Sequence, residues 1–66
     1  MRITLNGQER ELTNAQTLKD VIREFQQDCN RIIAELNGQI IKNPQWEKTP
    51  VHDGDRIELL SFVGGG

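Results

Sequence analysis

The chain has 66 residues, and a chain of this length forms at most one domain with a thin core. Its 8 basic and 10 acidic residues give a net charge of −2, which argues against a general binder of nucleic acid or of anionic membranes. No apolar run is long enough to span a bilayer and no apolar signal segment opens the sequence, so we expect a cytoplasmic protein.

The first predicted elements are two strands joined by a tight turn. Residues 2–5 alternate polar and apolar side chains, which is typical of a half-buried strand. Asn6 and Gly7 follow, and this dipeptide favours a two-residue hairpin turn because both positions tolerate a positive φ. Residues 8–12 then return as a second strand, although its composition is polar except for Leu12.

The next element is an amphipathic helix over residues 17–29. Its apolar residues recur at helical spacing and lie on one face: Leu18, Val21, Ile22, Phe25 and Cys29. Thr17 precedes this stripe, and Asp20 follows three residues later, which resembles a capping box and places a negative charge at the helix N-terminus. The opposite face is polar, so the helix is expected to pack one side against a sheet.

Two further strands and a short helical turn are predicted after the helix. Residues 31–36 favour a central strand, and Asn37-Gly38 is a second tight-turn signal before a short strand at residues 39–41. A helical turn follows over residues 43–46. In that turn we expect Asn43 to be the cap and Pro44 the first helical residue.

The last strand runs over residues 56–63, after a turn at residues 52–55. Two hairpin signals and one amphipathic helix indicate an α+β roll, in which a mixed sheet of four to five strands packs on one α-helix. We expect a single domain over residues 1–63, followed by a flexible glycine tail at residues 64–66.

The tail consists of Gly64, Gly65 and Gly66. Glycine loses the most backbone entropy on ordering, so a triple glycine does not hold one conformation by itself. A frayed terminus is the simplest interpretation. The alternative is a chain end that threads a narrow channel of another protein, with the α-carboxylate of Gly66 as the reactive group. A carboxylate is a poor acyl donor, so its chemistry requires activation, for example as an acyl-adenylate formed by a separate enzyme with ATP.

The strand before the tail carries apolar residues on both faces. Alternation assigns one face to the helix side, and assigns Leu60 and Phe62 to the other face, beside the tail. Exposed apolar side chains that cluster are candidates for a partner surface, so we expect Leu60 and Phe62 to bind a partner. The alternative is that the strand twists and that both residues belong partly to the core.

The remaining chemically notable residues have simpler interpretations. Cys29 lies on the apolar helix stripe, where a buried free thiol is the usual outcome. His52 lies in a turn with no evident nucleophile beside it, and Trp46 is expected to pack in the core or at its rim. Asp53 and Asp55 belong to a turn that carboxylates commonly stabilise. One cysteine and one histidine cannot form a zinc site of four such ligands, and no metal site is expected.

The ordered set of these motifs resembles the ThiS family, the small ubiquitin-like (β-grasp) sulfur carrier proteins of thiamine biosynthesis. The resemblance covers the whole chain and rests on Ile3-Thr4-Leu5-Asn6-Gly7, Thr17-Leu18, Leu36-Asn37-Gly38-Gln39-Ile40-Ile41, Trp46, Asp53-Gly54-Asp55-Arg56-Ile57 and Phe62-Val63-Gly64-Gly65-Gly66. No single motif is specific, whereas their order over the whole chain is.

The resemblance implies that the protein is a cosubstrate and not an enzyme, and that it binds no cofactor of its own. A partner adenylating (E1-like) enzyme would activate the carboxylate of Gly66 with ATP. Sulfur from a cysteine persulfide would replace the AMP, and the resulting thiocarboxylate would pass its sulfur to thiazole synthase. Gly64 and Gly65 would thread the partner's channel, and trimming of one residue would move the reactive carboxylate to Gly65. The free protein is expected to be a monomer.

Two other kinds of function remain open at the sequence level. The first is the same carrier chemistry in another pathway, such as molybdopterin synthesis or tRNA thiolation. The second is a non-catalytic β-grasp binding module, or a scaffold with an inert tail. An RNA-binding module would need a basic face, which the charge balance does not favour.

Overall fold

The computed structural model describes residues 1–25 and 31–61 of the chain. Its elements in chain order are β1 (Arg2–Leu5), β2 (Gln8–Glu11), α1 (Leu18–Phe25), β3 (Ile32–Leu36), β4 (Gln39–Ile41), α2 (Asn43–Trp46) and β5 (Arg56–Ser61). The predictions for Cys29, Phe62, Gly64, Gly65 and Gly66 lie outside the described residues, as do the predicted last turn of the helix and the end of the last strand.

The five strands form one mixed sheet in the order β2-β1-β5-β3-β4. The central strand β5 is parallel to β1 and antiparallel to β3, and the two outer pairs are antiparallel hairpins. This arrangement confirms the predicted α+β architecture with a mixed sheet. The strand that leads toward the glycines is therefore the central strand, with a neighbouring strand on each side.

Both hairpin turns have the backbone conformation that their sequences predict. Asn6 and Gly7 have φ values of 49° and 82°, and Asn37 and Gly38 have values of 52° and 87°. Two successive positive φ values match the right-handed twist of the flanking strands, and asparagine and glycine adopt them at the least cost. The first turn sets the register in which Leu5 faces Gln8.

The helix α1 begins with the predicted reciprocal cap. The Thr17 N–H donates to Asp20 Oδ2 at 3.0 Å, and the Asp20 N–H donates to Thr17 Oγ1 at 3.3 Å. The Gln16 N–H donates to the same carboxylate oxygen at 2.9 Å. These bonds satisfy backbone N–H groups that have no partner within the helix.

The core lies between one face of the sheet and the apolar side of α1. Its buried side chains are Ile3, Leu5, Leu12, Ala15, Leu18, Val21, Ile22, Ile32, Ala34, Trp46, Val51, Ile57 and Leu59. Trp46 is the largest of them at 1% exposure, and its indole N–H donates to the Ile41 carbonyl at 2.7 Å. The prediction that Trp46 packs in the core is confirmed.

The predicted cap of α2 is wrong by one residue. Lys42 occupies the N-cap position without a side-chain cap, so Asn43 is the first helical residue and Pro44 the second. The reason is that the Lys42 carbonyl accepts the Gln45 N–H at 2.8 Å, which is a donor that an Asn43 cap would have used.

Among the described residues, neither helix is long and apolar enough to cross a membrane.

Candidate partner-binding face

The residues of β5 alternate between the core and the outer face of the sheet. Ile57 and Leu59 are buried, whereas Glu58 and Leu60 are exposed on the other side. Leu60 keeps 48% of its surface accessible, so it does not belong to the core. The face assignment made from the sequence therefore holds for these residues. Its second member, Phe62, lies outside the described part of the chain.

Two further exposed isoleucines lie on the outer face near Leu60. Ile33 is the direct cross-strand partner of Leu60 and is 39% exposed. Ile40 is 61% exposed and faces Glu35, the next outward residue along β3 after Ile33. Direct partners on one face are about 5 Å apart between Cβ atoms, and diagonal partners about 7–8 Å. We call Ile33, Ile40 and Leu60 the outer patch.

Sequence reasoning missed Ile33 and Ile40 as candidates. The alternation of residues 31–36 assigned Ile32 and Ala34 to the core, which leaves Ile33 on the outer face, so the signal for Ile33 was present. For Ile40 the signal was weaker. It stands next to Ile41 in a three-residue strand, where alternation does not decide which isoleucine faces out.

The outer patch is bordered by two glutamates that face each other. Glu35 on β3 is the direct cross-strand partner of Glu58 on β5. Like charges in this position destabilise a strand pair. Within residues 1–25 and 31–61, neither carboxylate has a cationic side chain within ion-pair distance. A surface that complements this face therefore combines apolar contacts with a basic group near the glutamates.

The turn before β5 uses its carboxylates for its own structure. Asp53 Oδ1 accepts the Arg2 N–H at 2.7 Å, and Asp55 Oδ2 accepts the His52 N–H at 2.7 Å. The His52 side chain is exposed, and its Nδ1 is 3.9 Å from Asp55 Oδ2. In the described part of the chain, no group of three or more His, Cys, Asp or Glu side chains could hold a metal ion.

A shallow depression of about 190 Å³ lies on the outer face at the opposite end of β1 and β5 from Leu60. It is lined by Arg2, Ile3, Thr4, Glu9, Asp53 and Gly54. The Arg2 guanidinium is 3.5 Å from the Glu9 carboxylate, and the Asp53 carboxylate accepts the Arg2 N–H, so the charged groups of the depression already have partners within it. The outer patch is thus the stronger candidate for binding.

Comparison with known proteins identifies the family. The model of the ThiS family matches residues 3–66 of the sequence. The chain belongs to the ThiS family. The sulfur carrier protein ThiS of Escherichia coli (strain K12) is 30% identical over 66 residues, which cover 100% of each chain. The crystal structure of ThiS from Geobacter metallireducens is similar over 100% of both chains, with 29% identity and a TM-score of 0.83.

These matches confirm the resemblance and the β-grasp fold expected from the sequence. Members of the ThiS family are small sulfur carriers of thiamine biosynthesis, and such a carrier is a protein cosubstrate, not a catalyst. A thiazole synthase of Paramagnetospirillum magneticum is also 30% identical over 66 residues. That match covers 100% of this chain but 20% of the relative, so the chain spans only a fifth of that protein's length.

Proposed function

We propose that the chain carries sulfur as a thiocarboxylate on Gly66. A partner adenylating (E1-like) enzyme would use ATP to convert the carboxylate to an acyl-adenylate. Sulfur from a cysteine persulfide would then take the place of AMP. The thiocarboxylate would donate this sulfur for formation of the thiazole ring in thiamine biosynthesis. ATP is bound by the partner in this scheme, and the carrier needs no cofactor of its own.

The observation that carries this proposal is the family match over residues 3–66, because it includes the glycines as well as the folded part. The chemistry is consistent with the tail. An ionised carboxylate is a poor acyl donor, so it must be activated before sulfur can be added. Glycine has no side chain, so Gly64 and Gly65 would pass through a channel too narrow for other residues.

We further propose that the outer patch and Phe62 bind the adenylating enzyme. Leu60 and Ile33 form an exposed apolar pair on the two strands at the centre of this face. Leu60 is exposed and does not belong to the buried core, so core packing does not account for an apolar residue at this position. Such a patch is typical of a binding surface when polar residues border it, as Glu35 and Glu58 do here.

Thiazole synthase is the partner that we propose for the loaded carrier. The support is the Paramagnetospirillum relative, a protein named thiazole synthase that contains a segment similar to all of this chain. A carrier segment within the same polypeptide would raise the effective concentration of one partner for the other. The cytoplasmic location, the persulfide donor and the monomeric state of the free carrier stay predictions.

Intact mass spectrometry tests the proposed function. The protein is incubated with ATP, a persulfide sulfur donor and the adenylating enzyme of thiamine biosynthesis, and in parallel with its molybdopterin-pathway counterpart. We expect an adenylate or the exchange of one oxygen for sulfur with the first enzyme only. Thiol alkylation separates sulfur gain from oxidation at Met1 or Cys29.

A variant that lacks Gly65 and Gly66 is the matched control, because it removes the reactive end and leaves the folded residues unchanged. It should show no modification and an unaltered thermal midpoint. Modification by the molybdopterin enzyme alone would assign the carrier to another pathway. Modification by neither enzyme would contradict the carrier function and favour a binding module.

A further inference from the structure

The strand β1 ends before its neighbour β5 does. In the parallel pair, Thr4 faces Arg56 and Leu5 faces Ile57, and the last backbone bond runs from the Asn6 N–H to the Ile57 carbonyl at 2.9 Å. The positive φ of Asn6 then turns the chain away into the hairpin. On the other side, β3 continues to pair with β5 as far as Ser61. The far half of β5 therefore lacks a backbone neighbour on the β1 side within the described residues.

The side chain of Asn6 occupies the place of the missing strand. The Leu59 N–H donates to Asn6 Oδ1 at 2.8 Å, and Asn6 Nδ2 donates to the Leu59 carbonyl at 3.2 Å. Both bonds are partly buried. One amide side chain thus satisfies both backbone groups of Leu59, as a peptide group of a continuing strand would. Without it, these two groups would lose their protein partner at a partly buried place.

We propose that Asn6 is a positioning residue for the adenylation reaction, and this inference rests on the proposed function. By holding the backbone of Leu59, Asn6 keeps the Leu59 side chain toward the core and the Leu60 side chain toward the partner. Side chains alternate along a strand, so a loosened or slipped strand would turn Leu60 away from the outer face.

Asn37 provides a matched control, because it lies in a turn of the same type and makes a similar pair of bonds. The Arg56 N–H donates to Asn37 Oδ1 at 2.9 Å, and Asn37 Nδ2 donates to Asp55 Oδ1 at 3.0 Å. These bonds hold the beginning of β5, away from the residues that lead to the tail. Glycine at either asparagine position keeps the positive φ and removes only the side-chain amide.

The experiment compares Asn6→Gly, Asn37→Gly and the natural protein as substrates of the adenylating enzyme. Initial rates of pyrophosphate release are measured at a temperature at which circular dichroism shows all three to be folded. Amide hydrogen exchange at Leu59 and Leu60 is measured in parallel. We expect Asn6→Gly to lower kcat/KM by about tenfold, mainly by raising KM, since Leu60 is then no longer held toward the partner. Asn37→Gly should change kcat/KM by about twofold at most.

Asn6→Asp is the second variant and covers the case in which Asn6→Gly does not fold. Aspartate keeps the acceptor for the Leu59 N–H but cannot donate to the Leu59 carbonyl, so its kcat/KM should lie below that of the natural protein.

Equal kinetic constants for the folded variants and the natural protein, with faster exchange at Leu59 in the Asn6 variants, would overturn the inference and leave Asn6 a purely structural role. Equal losses for Asn6→Gly and Asn37→Gly would overturn it as well. If the natural protein itself is not adenylated, the proposed function fails and the inference falls with it.

Discussion

Asp20 shows how much a single side chain contributes locally. Its carboxylate accepts backbone N–H groups of Gln16 and Thr17 at the start of α1. The bond from Gln16 contributes most, followed by that from Thr17, and together they hold the pKa of Asp20 below its usual value. The cap also depends on the Thr17 hydroxyl, which accepts the Asp20 N–H in return. The stability of the start of α1 therefore depends on the charge of Asp20 as well as on the hydrogen bonds of the cap.

Because the pKa of Asp20 is lower in the folded state, its contribution to stability is complete above the ordinary carboxyl pKa. It is lost as the pH falls through the lowered pKa of the folded state. We expect Asp20→Asn to be less stable than the natural protein at about pH 7, and the difference to shrink at about pH 3. Urea unfolding at both pH values measures it, and a difference that stays constant would contradict a role for the charge.

Leu60→Asp tests the outer patch at the scale of one residue. Because 48% of Leu60 is already exposed, the change should alter the thermal midpoint little. It should raise KM for the adenylating enzyme, since a charge replaces an apolar contact at the interface. Leu59→Asp is the folding control, because Leu59 is 7% exposed and a buried charge there should unfold the protein. A large fall in the midpoint of Leu60→Asp would place Leu60 in the core instead.

At the scale of elements, α2 depends on its neighbours for stability. Its four residues, Asn43–Trp46, are too few to form a stable helix in isolation. Trp46 anchors it by packing in the core and by donating its indole N–H to the Ile41 carbonyl. The segment between β4 and β5 is thereby attached to the same core that α1 and the sheet form.

Trp46→Ala should cost about 3–5 kcal/mol of stability, because it removes the largest fully buried side chain and leaves a cavity. A loss of this size approaches the whole free energy of unfolding of many small domains, about 5–15 kcal/mol. Trp46→Phe is the control: it keeps an aromatic ring, leaves a smaller gap and loses the hydrogen bond to the Ile41 carbonyl, so it should cost less. Denaturation followed by circular dichroism measures both. Similar, small costs would contradict the anchoring role of the indole.

At the scale of the whole molecule, the two faces of the sheet have opposite tasks. The inner face and α1 supply most of the buried side chains, whereas the outer face exposes Ile33, Ile40 and Leu60 beside two facing glutamates. The glutamate pair works against sheet stability, and such a local conflict is expected where a surface serves binding. Stability and partner recognition should therefore respond in opposite directions to a charge change there.

Glu58→Lys replaces the like-charge pair with Glu35 by an opposite-charge pair. We expect it to stabilise the fold by roughly 0.2–1 kcal/mol and to raise KM for the adenylating enzyme. The effect on KM should decrease as the salt concentration rises. Glu24→Lys on the exposed side of α1 changes the net charge equally and serves as the control, with KM unchanged. Equal effects of the two variants on KM would point to net charge alone.

Much of the local structure could be predicted because it depends on residues that are close in sequence. The alternation in residues 2–5 and 57–60, the two Asn-Gly turns and the cap by Thr17 and Asp20 are confirmed. The predicted cap of α2 was wrong because Lys42 and Asn43 can both start the first turn. The Lys42 carbonyl accepts the Gln45 N–H, so Lys42 is the N-cap. The β-grasp fold and the carrier function were expected from the resemblance to the ThiS family.

The sequence by itself determined most of the strand and helix segments and that Leu60 lies on the face of β5 opposite to Ile57 and Leu59, since periodicity reports neighbours two to four positions apart. Only the tertiary structure decided that β5 lies between β1 and β3, which places Ile33 opposite Leu60 and Glu35 opposite Glu58. The bonds between Asn6 and Leu59 join residues 53 positions apart. Contacts of that range depend on how the strands pair, and local periodicity does not report strand pairing.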